Sequence, residues 1–388
     1  MIVQPVTDRM LVEVLRAAHH EKQTVLVHGN KTKLDWLLDA GPPIDTTIDL
    51  STLSGIIAHD HGDMTATVQA GIPLATLQDA VQQRGQRLAI DPPLGPGRAA
   101  TVGGIFSTDD AGPGRMAYGS LRELCIGASY ALVDGTTAKS GSKVIKNVAG
   151  FDLCKLFCGA RGTLAIITEL TVRLHPRPAA ERTLQAHLPL SAAAPAAIAL
   201  GDAIAADAIT YAGLDPGSLR VRITGAKSLV HEQTALARDL LEKAGGQNID
   251  VFDEDDSRAA WAQATEQRRA EPGESLLALS VPREQAAPLM ASIAEGLPSA
   301  PITTIVADIA LGAILVRLDA NRALDHVDAV THLRKLARDH RGHARLRTSA
   351  CTADPFGPLP GGLSVMRRIK SALDPNGRLA PARYLTNP

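Results

Sequence analysis

Cysteine is scarce in this chain of 388 residues, and the four present, Cys125, Cys154, Cys158 and Cys351, form no paired C-x-x-C sets. That excludes a zinc ribbon or a cysteine-held iron–sulfur cluster. Cys154 and Cys158 stand four apart, a spacing that reads as two small apolar residues on one helix face. Aromatic residues make up 3%, too few for a base-stacking platform or an aromatic cage. A formal net charge of -1 removes the global electrostatic case for nucleic acid or an acidic membrane surface. No run reaches the roughly 18 apolar residues of a membrane span, although residues 189–206 are rich in Ala and Leu. The opening Met1-Ile2-Val3-Gln4-Pro5 has neither the basic nor the apolar region of a secretion signal. Together these absences predict a reduced, cytoplasmic setting.

What is present is ordinary globular composition, 45% hydrophobic and 21% charged, on a chain long enough to predict two domains. Its densest signal lies in residues 101–178. There Thr101-Val102-Gly103-Gly104, Asp109-Asp110-Ala111-Gly112, Tyr118-Gly119 and Lys146-Asn147-Val148-Ala149-Gly150-Phe151-Asp152 follow one another, and Gly162-Thr163-Leu164-Ala165-Ile166-Ile167-Thr168-Glu169 closes the series. Glycine lets backbone approach a flat or anionic ligand and present its N–H groups. A P-loop or Rossmann turn concentrates its glycines in one strand-to-helix junction. Glycines spread this widely imply a long ligand lying across several elements.

At these residues the chain resembles the FAD-binding family typified by p-cresol methylhydroxylase and vanillyl-alcohol oxidase, and within it the smaller FAD-binding subunits of glycolate oxidases. The resemblance implies an α+β fold: a two-part FAD-binding domain over residues 1–178, an α+β cap with an antiparallel sheet over 179–350, and a segment 351–388 returning to the first domain. It places the FAD pyrophosphate at His28, Gly29, Asn30, Lys31 and Thr32, with Lys31 or Lys33 adding charge. The family usually has glycines where Asn30 and Lys31 stand here. It places the flavin beside Pro93, Thr101, Val102, Gly103, Gly104, Ser107, Thr108, Gly112, Tyr118, Gly119 and Lys146, and the adenine and ribose beside Gly162, Ile166 and Ile167. Ala165, Ala380 and Ala382 replace residues usual in the family, Ala165 a glycine and the two others in the terminal Asp374-Pro375-Asn376-Gly377-Arg378-Leu379-Ala380-Pro381-Ala382-Arg383 motif. The FAD is expected to be non-covalent.

Periodicity supplies the remaining expectations. Residues 8–20 read as a helix capped by Asp8, 74–86 as a second, and Asp134-Gly135 as a hairpin turn. His59-Asp60-His61 with Asp63 reads as a solvated loop rather than a metal site. In the cap, strands are expected at 181–190, 219–224, 248–252, 276–281, 302–310 and 313–318, with helices near 191–206, 228–244, 256–270, 284–296 and 323–340; Trp261 reads as a core indole. His343, Arg345 and Arg347 alternate along one strand face, where they could hold a carboxylate, dock an acidic partner or simply face solvent.

For function, the resemblance implies oxidation of a 2-hydroxy acid, glycolate or D-lactate, by an FAD-binding subunit working with a larger FAD subunit and an iron–sulfur subunit, and reaching a membrane only through those partners. Two other readings stay open, a self-sufficient FAD-dependent dehydrogenase and a non-flavin structural subunit. The His-x-Gly-Asp-Gly-Asn-x-His pattern of related catalytic subunits is absent from the sequence. No metal is expected, and neither His28 nor Tyr384 is assigned as a catalytic base.

Overall fold

The computed structural model describes residues 1–36, 42–142, 151–296, 301–351, 353, 354, 356, 357 and 361–383. These divide into two compact units. One comprises Met1–Ala111, Tyr118–Arg177 and the described residues after 357, the other Gly112–Ala117 and Pro178–Gly357.

Among the described residues the first unit contains two main sheets, besides the two-stranded pair of Gln86–Arg87 with His175–Pro176. In the smaller, the parallel strands Ile2–Val3 and Val25–His28 flank Thr46–Asp49. Helix Asp8–His20 supplies Leu11, Leu15 and Ala18 to its core. Burying each leucine contributes about 1.5–3 kcal/mol. Thr7, not Asp8, caps this helix, its hydroxyl accepting from the Met10 amide at 3.2 Å. Asp8 instead lies in the first turn, where a carboxylate favours the helix dipole.

The larger sheet is antiparallel, in the order Ile56–Asp60, Thr65–Gln69, Ile166–Arg173, Cys125–Ala131 and Thr137–Gly141. Its core gathers Val68, Phe106, Leu124, Leu170 and Val172, together with Leu77 and Val81 of helix Leu74–Gln82. Asp134 and Gly135 make the expected turn: Gly135 takes φ 82°, and Asp134 accepts from the Thr136 amide at 2.8 Å.

The chain end is fastened to this unit. Helix Leu363–Leu373 buries Lys370, whose Nζ donates to Thr163 O at 2.8 Å, Leu379 O at 3.0 Å and Asp374 Oδ2 at 2.5 Å. Leu379 is fully buried, and the Ala380 amide donates to Val25 O at 2.7 Å.

The second unit is built on an eight-stranded antiparallel sheet. Its strand order is Gln247–Asp253, Ala180–Leu188, Gly217–Gly225, Ala206–Gly213, Ile302–Asp308, Ala313–Leu318, Ser275–Ser280 and His343–Thr348. Helices Leu190–Ala203, Lys227–Lys243, Arg283–Gly296 and His326–Asp339 pack in the same unit. Strand Ala206–Gly213 was not expected from the sequence, and the helix before it ends at Ala203 rather than near 206. Its first six residues are all buried, so it lacks the polar alternation that marks a half-exposed strand.

Candidate functional site

A cleft in the first unit encloses about 830 Å³ out to its open mouth. Strand Val25–His28 delivers the chain to its edge, and Gly29, Asn30, Lys31, Thr32 and Lys33 form one wall. Lys31 takes φ 61°, the left-handed conformation that favours glycine, while Asn30 does not. Asparagine suits that conformation better than lysine does; here, however, the Asn30 side-chain nitrogen donates to Ala99 O at 2.9 Å. The backbone N–H groups of residues 30–33 find no hydrogen-bond acceptor among the described residues. Four consecutive unpaired amides around a left-handed residue form an anion-binding nest.

Lys33 does not add net charge to this wall. Its side chain is 7% exposed, its Nζ lies 3.2 Å from Asp110 Oδ2, and it also donates to Pro93 O at 3.1 Å. The Trp36 ring lies 5.9 Å from the same nitrogen. His28 is likewise engaged, with Nδ1 2.6 Å from Gly29 O and 3.6 Å from Asp49 Oδ1. Since a carbonyl only accepts, Nδ1 carries the proton there. Hydrogen bonds from Gln4 and Ser51, with the nearby His28 ring, outweigh burial and hold the Asp49 carboxyl below its ordinary pKa.

The floor is helix Val102–Thr108, capped by Thr101, whose hydroxyl accepts from the Gly104 amide at 3.1 Å. The other amides of its first turn are also spent, Val102 on Ile72 O, Gly103 on Ala70 O and Ile105 on Thr101 O. The expectation that these glycines present N–H groups to a ligand therefore fails. Their use is steric: a Cβ on Gly103 would lie 2.7 Å from Ala70 O, and one on Gly29 2.6 Å from Thr101 Oγ1. At Gly104 a Cβ would meet the Thr101 hydroxyl at 3.0 Å and nothing else within 4 Å, so this residue keeps the cleft open. Ser107 and Thr108 complete the floor, with Thr108 Oγ1 donating back to Gly104 O at 2.8 Å.

Arg161, Gly162, Ala165, Ile166 and Ile167 form the opposite wall, and Arg383 reaches the cleft from the chain end. Gly162 takes φ 71° and has nothing within 4 Å of where a Cβ would stand. The Ala165 methyl is buried in the wall. Val27, Leu34, Trp36, Leu50, Ala70, Gly71, Arg161 and Arg383 all line the cleft without having been expected. Gly71 had a local signal, since it follows a strand, and its Cβ would lie 1.9 Å from Leu50 O.

Other expected residues lie off the cleft lining. Pro93 supports Lys33, and Val102 is fully buried in the core. Gly112 falls in the second unit. Tyr118 accepts from Arg87 Nη2 at 2.8 Å and stacks edge-on against His175 at 5.1 Å. Gly119 turns at φ 77° against the Glu123 side chain. Lys146 and Tyr384 lie outside the described residues.

The cysteines and the basic run are also placed. Cys154 lies buried in helix Leu153–Phe157, whereas Cys158 is its C-cap and half-buried, its Sγ 3.3 Å from Phe106 O. His59 and Asp60 belong to strand Ile56–Asp60, with His59 Nε2 2.8 Å from Gln86 Oε1, whereas His61 and Asp63 lie exposed in the turn that follows, as expected of a solvated loop. His343, Arg345 and Arg347 share one strand face, but Arg341 pairs with Glu284 at 2.5 Å and Arg334 bonds the Asp354 carbonyl, so the run is not one site. Trp261 is buried, donating to Thr183 Oγ1 at 2.6 Å.

Comparison with known proteins gives concordant results. The model of the FAD binding domain family matches residues 1–141, and that of the C-terminal domain of FAD linked oxidases matches residues 359–384. The chain is similar to glycolate oxidase subunit GlcE of Escherichia coli, 29% identical over 389 residues and 97% of each chain. It is 34% identical to the mitochondrial D-lactate dehydrogenase [cytochrome] 1 of Saccharomyces cerevisiae over 183 residues, 47% of this chain and 30% of that one. With glycolate oxidase subunit GlcD of Bacillus subtilis it shares 36% identity over 134 residues, 34% of this chain and 28% of that one. It thus spans nearly the whole of one relative and less than a third of the other two. A solved structure of alkyldihydroxyacetonephosphate synthase has the same fold, with TM-score 0.70 at 16% identity over 98% of this chain and 76% of that one. The nest at residues 30–33, the open floor at Gly104 and the open wall at Gly162 fit a long nucleotide cofactor with a diphosphate at its middle. These matches identify an FAD binding domain over residues 1–141 and the C-terminal domain of FAD linked oxidases over residues 359–384.

Proposed function

We propose that this chain is the FAD-binding subunit of a glycolate-oxidase-like complex that oxidises a small 2-hydroxy acid, glycolate or D-lactate. The similarity to subunit GlcE along 97% of both chains carries the reading. The unpaired amides of residues 30–33 would hold the diphosphate, with Lys31, Arg161 and Arg383 adding positive charge to the cleft. Gly104 would leave room for the ring system, and Gly162, Ile166 and Ile167 would border the adenine end. Bound non-covalently, FAD would supply the two-electron acceptor for the substrate's α-carbon hydride.

The subunit role, with a larger flavoprotein subunit and an iron–sulfur subunit as partners, is favoured by the cleft's own side chains. Such an oxidation also needs a base for the hydroxyl proton. Lys33 is held by Asp110, and His28 is buried with Nδ1 against Gly29 O. With Nδ1 carrying the proton, His28 can accept only at Nε2, and that atom is shut off from solvent, so the reading gives catalysis to a partner. No helix among the described residues is long and apolar enough to cross a membrane. Cytoplasmic residence, with any membrane association made through the partners, agrees with that.

The alternative is a self-sufficient dehydrogenase, and anaerobic addition of glycolate or D-lactate to the purified chain separates the two. The subunit reading expects flavin bands that stay oxidised until the partners are added. Bands that bleach in the isolated chain would establish the alternative.

A further inference from the structure

Helix Leu363–Leu373 has no carboxylate of its own, yet its Lys370 is buried. An ammonium has three N–H groups, and all three are used here, on Thr163 O at 2.8 Å, Leu379 O at 3.0 Å and Asp374 Oδ2 at 2.5 Å. The first acceptor belongs to the cleft wall, where it directly follows Arg161 and Gly162. The other two belong to the terminal segment, and Asp374 accepts in turn from the amides of Arg378 at 3.0 Å and Leu379 at 2.7 Å. One buried cation thus joins the wall of the cleft to the terminal segment. Burial lowers its pKa, and Asp374 offsets part of that lowering.

Beyond Lys370 the segment runs beside strand Val25–His28, which leads into the nest. The Val25 amide donates to Arg378 O at 2.9 Å, and the Ala380 amide donates to Val25 O at 2.7 Å. Ala380 and Ala382 then take φ 45° and 59°, left-handed turns after which Arg383 lines the cleft. The Arg383 side chain makes no hydrogen bond or ion pair among the described residues. Burial lowers its pKa, and the nearby Asp35 offsets only part of the effect. A guanidinium held in a cleft wall with its charge incompletely answered favours an anion in that cleft.

We infer that Arg383 acts on the anionic part of the cofactor and that Lys370 is its positioning residue, so that uptake of FAD and docking of the terminal segment are one coupled equilibrium. This rests on the FAD reading proposed above. Every N–H of Lys370 is spent inside the protein, so it acts only through the groups it holds, Thr163 on the wall and the Asp374–Leu379 turn that leads to Arg383. Such coupling is reciprocal: FAD favours the docked segment, and the docked segment favours FAD to the same degree.

The test is FAD affinity of the full chain, by fluorescence titration, in the wild type, Arg383→Met, Arg383→Lys, Lys370→Met and the variant combining Lys370→Met with Arg383→Met. Arg383→Met should bind FAD about tenfold or more weakly, within the usual range of coupled sites, and Arg383→Lys should recover part of the loss. Lys370→Met should lose at least as much, and Arg383→Met added to it should cost little more, because both act through one guanidinium. Losses that simply multiply would overturn the positioning role. Hydrogen exchange at the Leu379 and Ala380 amides gives a second readout: FAD should slow it in the wild type and not in Arg383→Met. Should Lys370→Met fail to fold, Arg383→Met still carries the test, since its side chain holds no other described group in place. Wild-type affinity in Arg383→Met, or equal protection of those amides by FAD in both proteins, would overturn the inference while leaving the cofactor reading intact. A wild type that takes up no FAD would overturn both.

Discussion

Beneath the cleft, Lys33 and Asp110 form a pair whose side chains are 7% and 0% exposed. Changing Asp110 to Asn keeps the shape and removes the charge. Lys33 then keeps Pro93 O at 3.1 Å and the Trp36 ring at 5.9 Å, but no carboxylate at its former place. Breaking a buried pair from one side costs about 3–5 kcal/mol. The retained carbonyl and ring contacts bring the expected loss to about 3 kcal/mol. Lys33→Met combined with Asp110→Leu should be close to neutral, because it removes both desolvation costs. The assay is urea unfolding followed by Trp36 fluorescence in a Trp261→Phe background, since the sequence has two tryptophans. A loss below about 1 kcal/mol in Asp110→Asn, or a double variant as unstable as the single one, would refute the reasoning.

Other consequences follow from backbone and burial. Ala382 takes φ 59° where a glycine would be unstrained, so Ala382→Gly should raise stability by about 0.5–1 kcal/mol despite glycine's larger unfolded entropy, measured by the same urea titration. Burial, then Arg173 and Arg87, lowers the pKa of His175 below its ordinary value. The unfolded chain therefore binds more protons than the folded one below about pH 6.5, and stability is lost as pH falls through that range. His343, lowered by burial and Arg345, acts in the same sense. His175→Gln should make the decline between pH 7 and pH 5 shallower, and an unchanged slope would show that His175 does not contribute.

Much of the cleft was legible because its residues cluster in short glycine-marked stretches. Gly29, Gly103, Gly104 and Gly162 each stand where a side chain would collide or intrude. What those stretches do was less legible. Thr101 and the neighbouring carbonyls consume the amides of helix Val102–Thr108, a pattern that depends on Ile72 and Ala70 arriving from elsewhere in the chain. Lys31 adopts a glycine-like φ although its identity argues against it, because the surrounding loop decides the backbone there. Leu50, Arg161 and Arg383 reach the cleft from three separated parts of the chain, and no local spacing announces such convergence. Strand Ala206–Gly213 was missed because burial of its first six residues erased the alternation that identifies a strand.

The central claim is that the cleft over Gly104 holds FAD. Its most direct test is flavin stoichiometry after saturation with FAD and gel filtration, for the wild type and for Gly104→Trp. Folding is checked by circular dichroism, and the flavin is then released in acid. The account predicts about one FAD per wild-type chain, released by acid, and a folded Gly104→Trp without flavin because the indole fills the space above the floor. A folded Gly104→Trp that retains a full complement of flavin would contradict it.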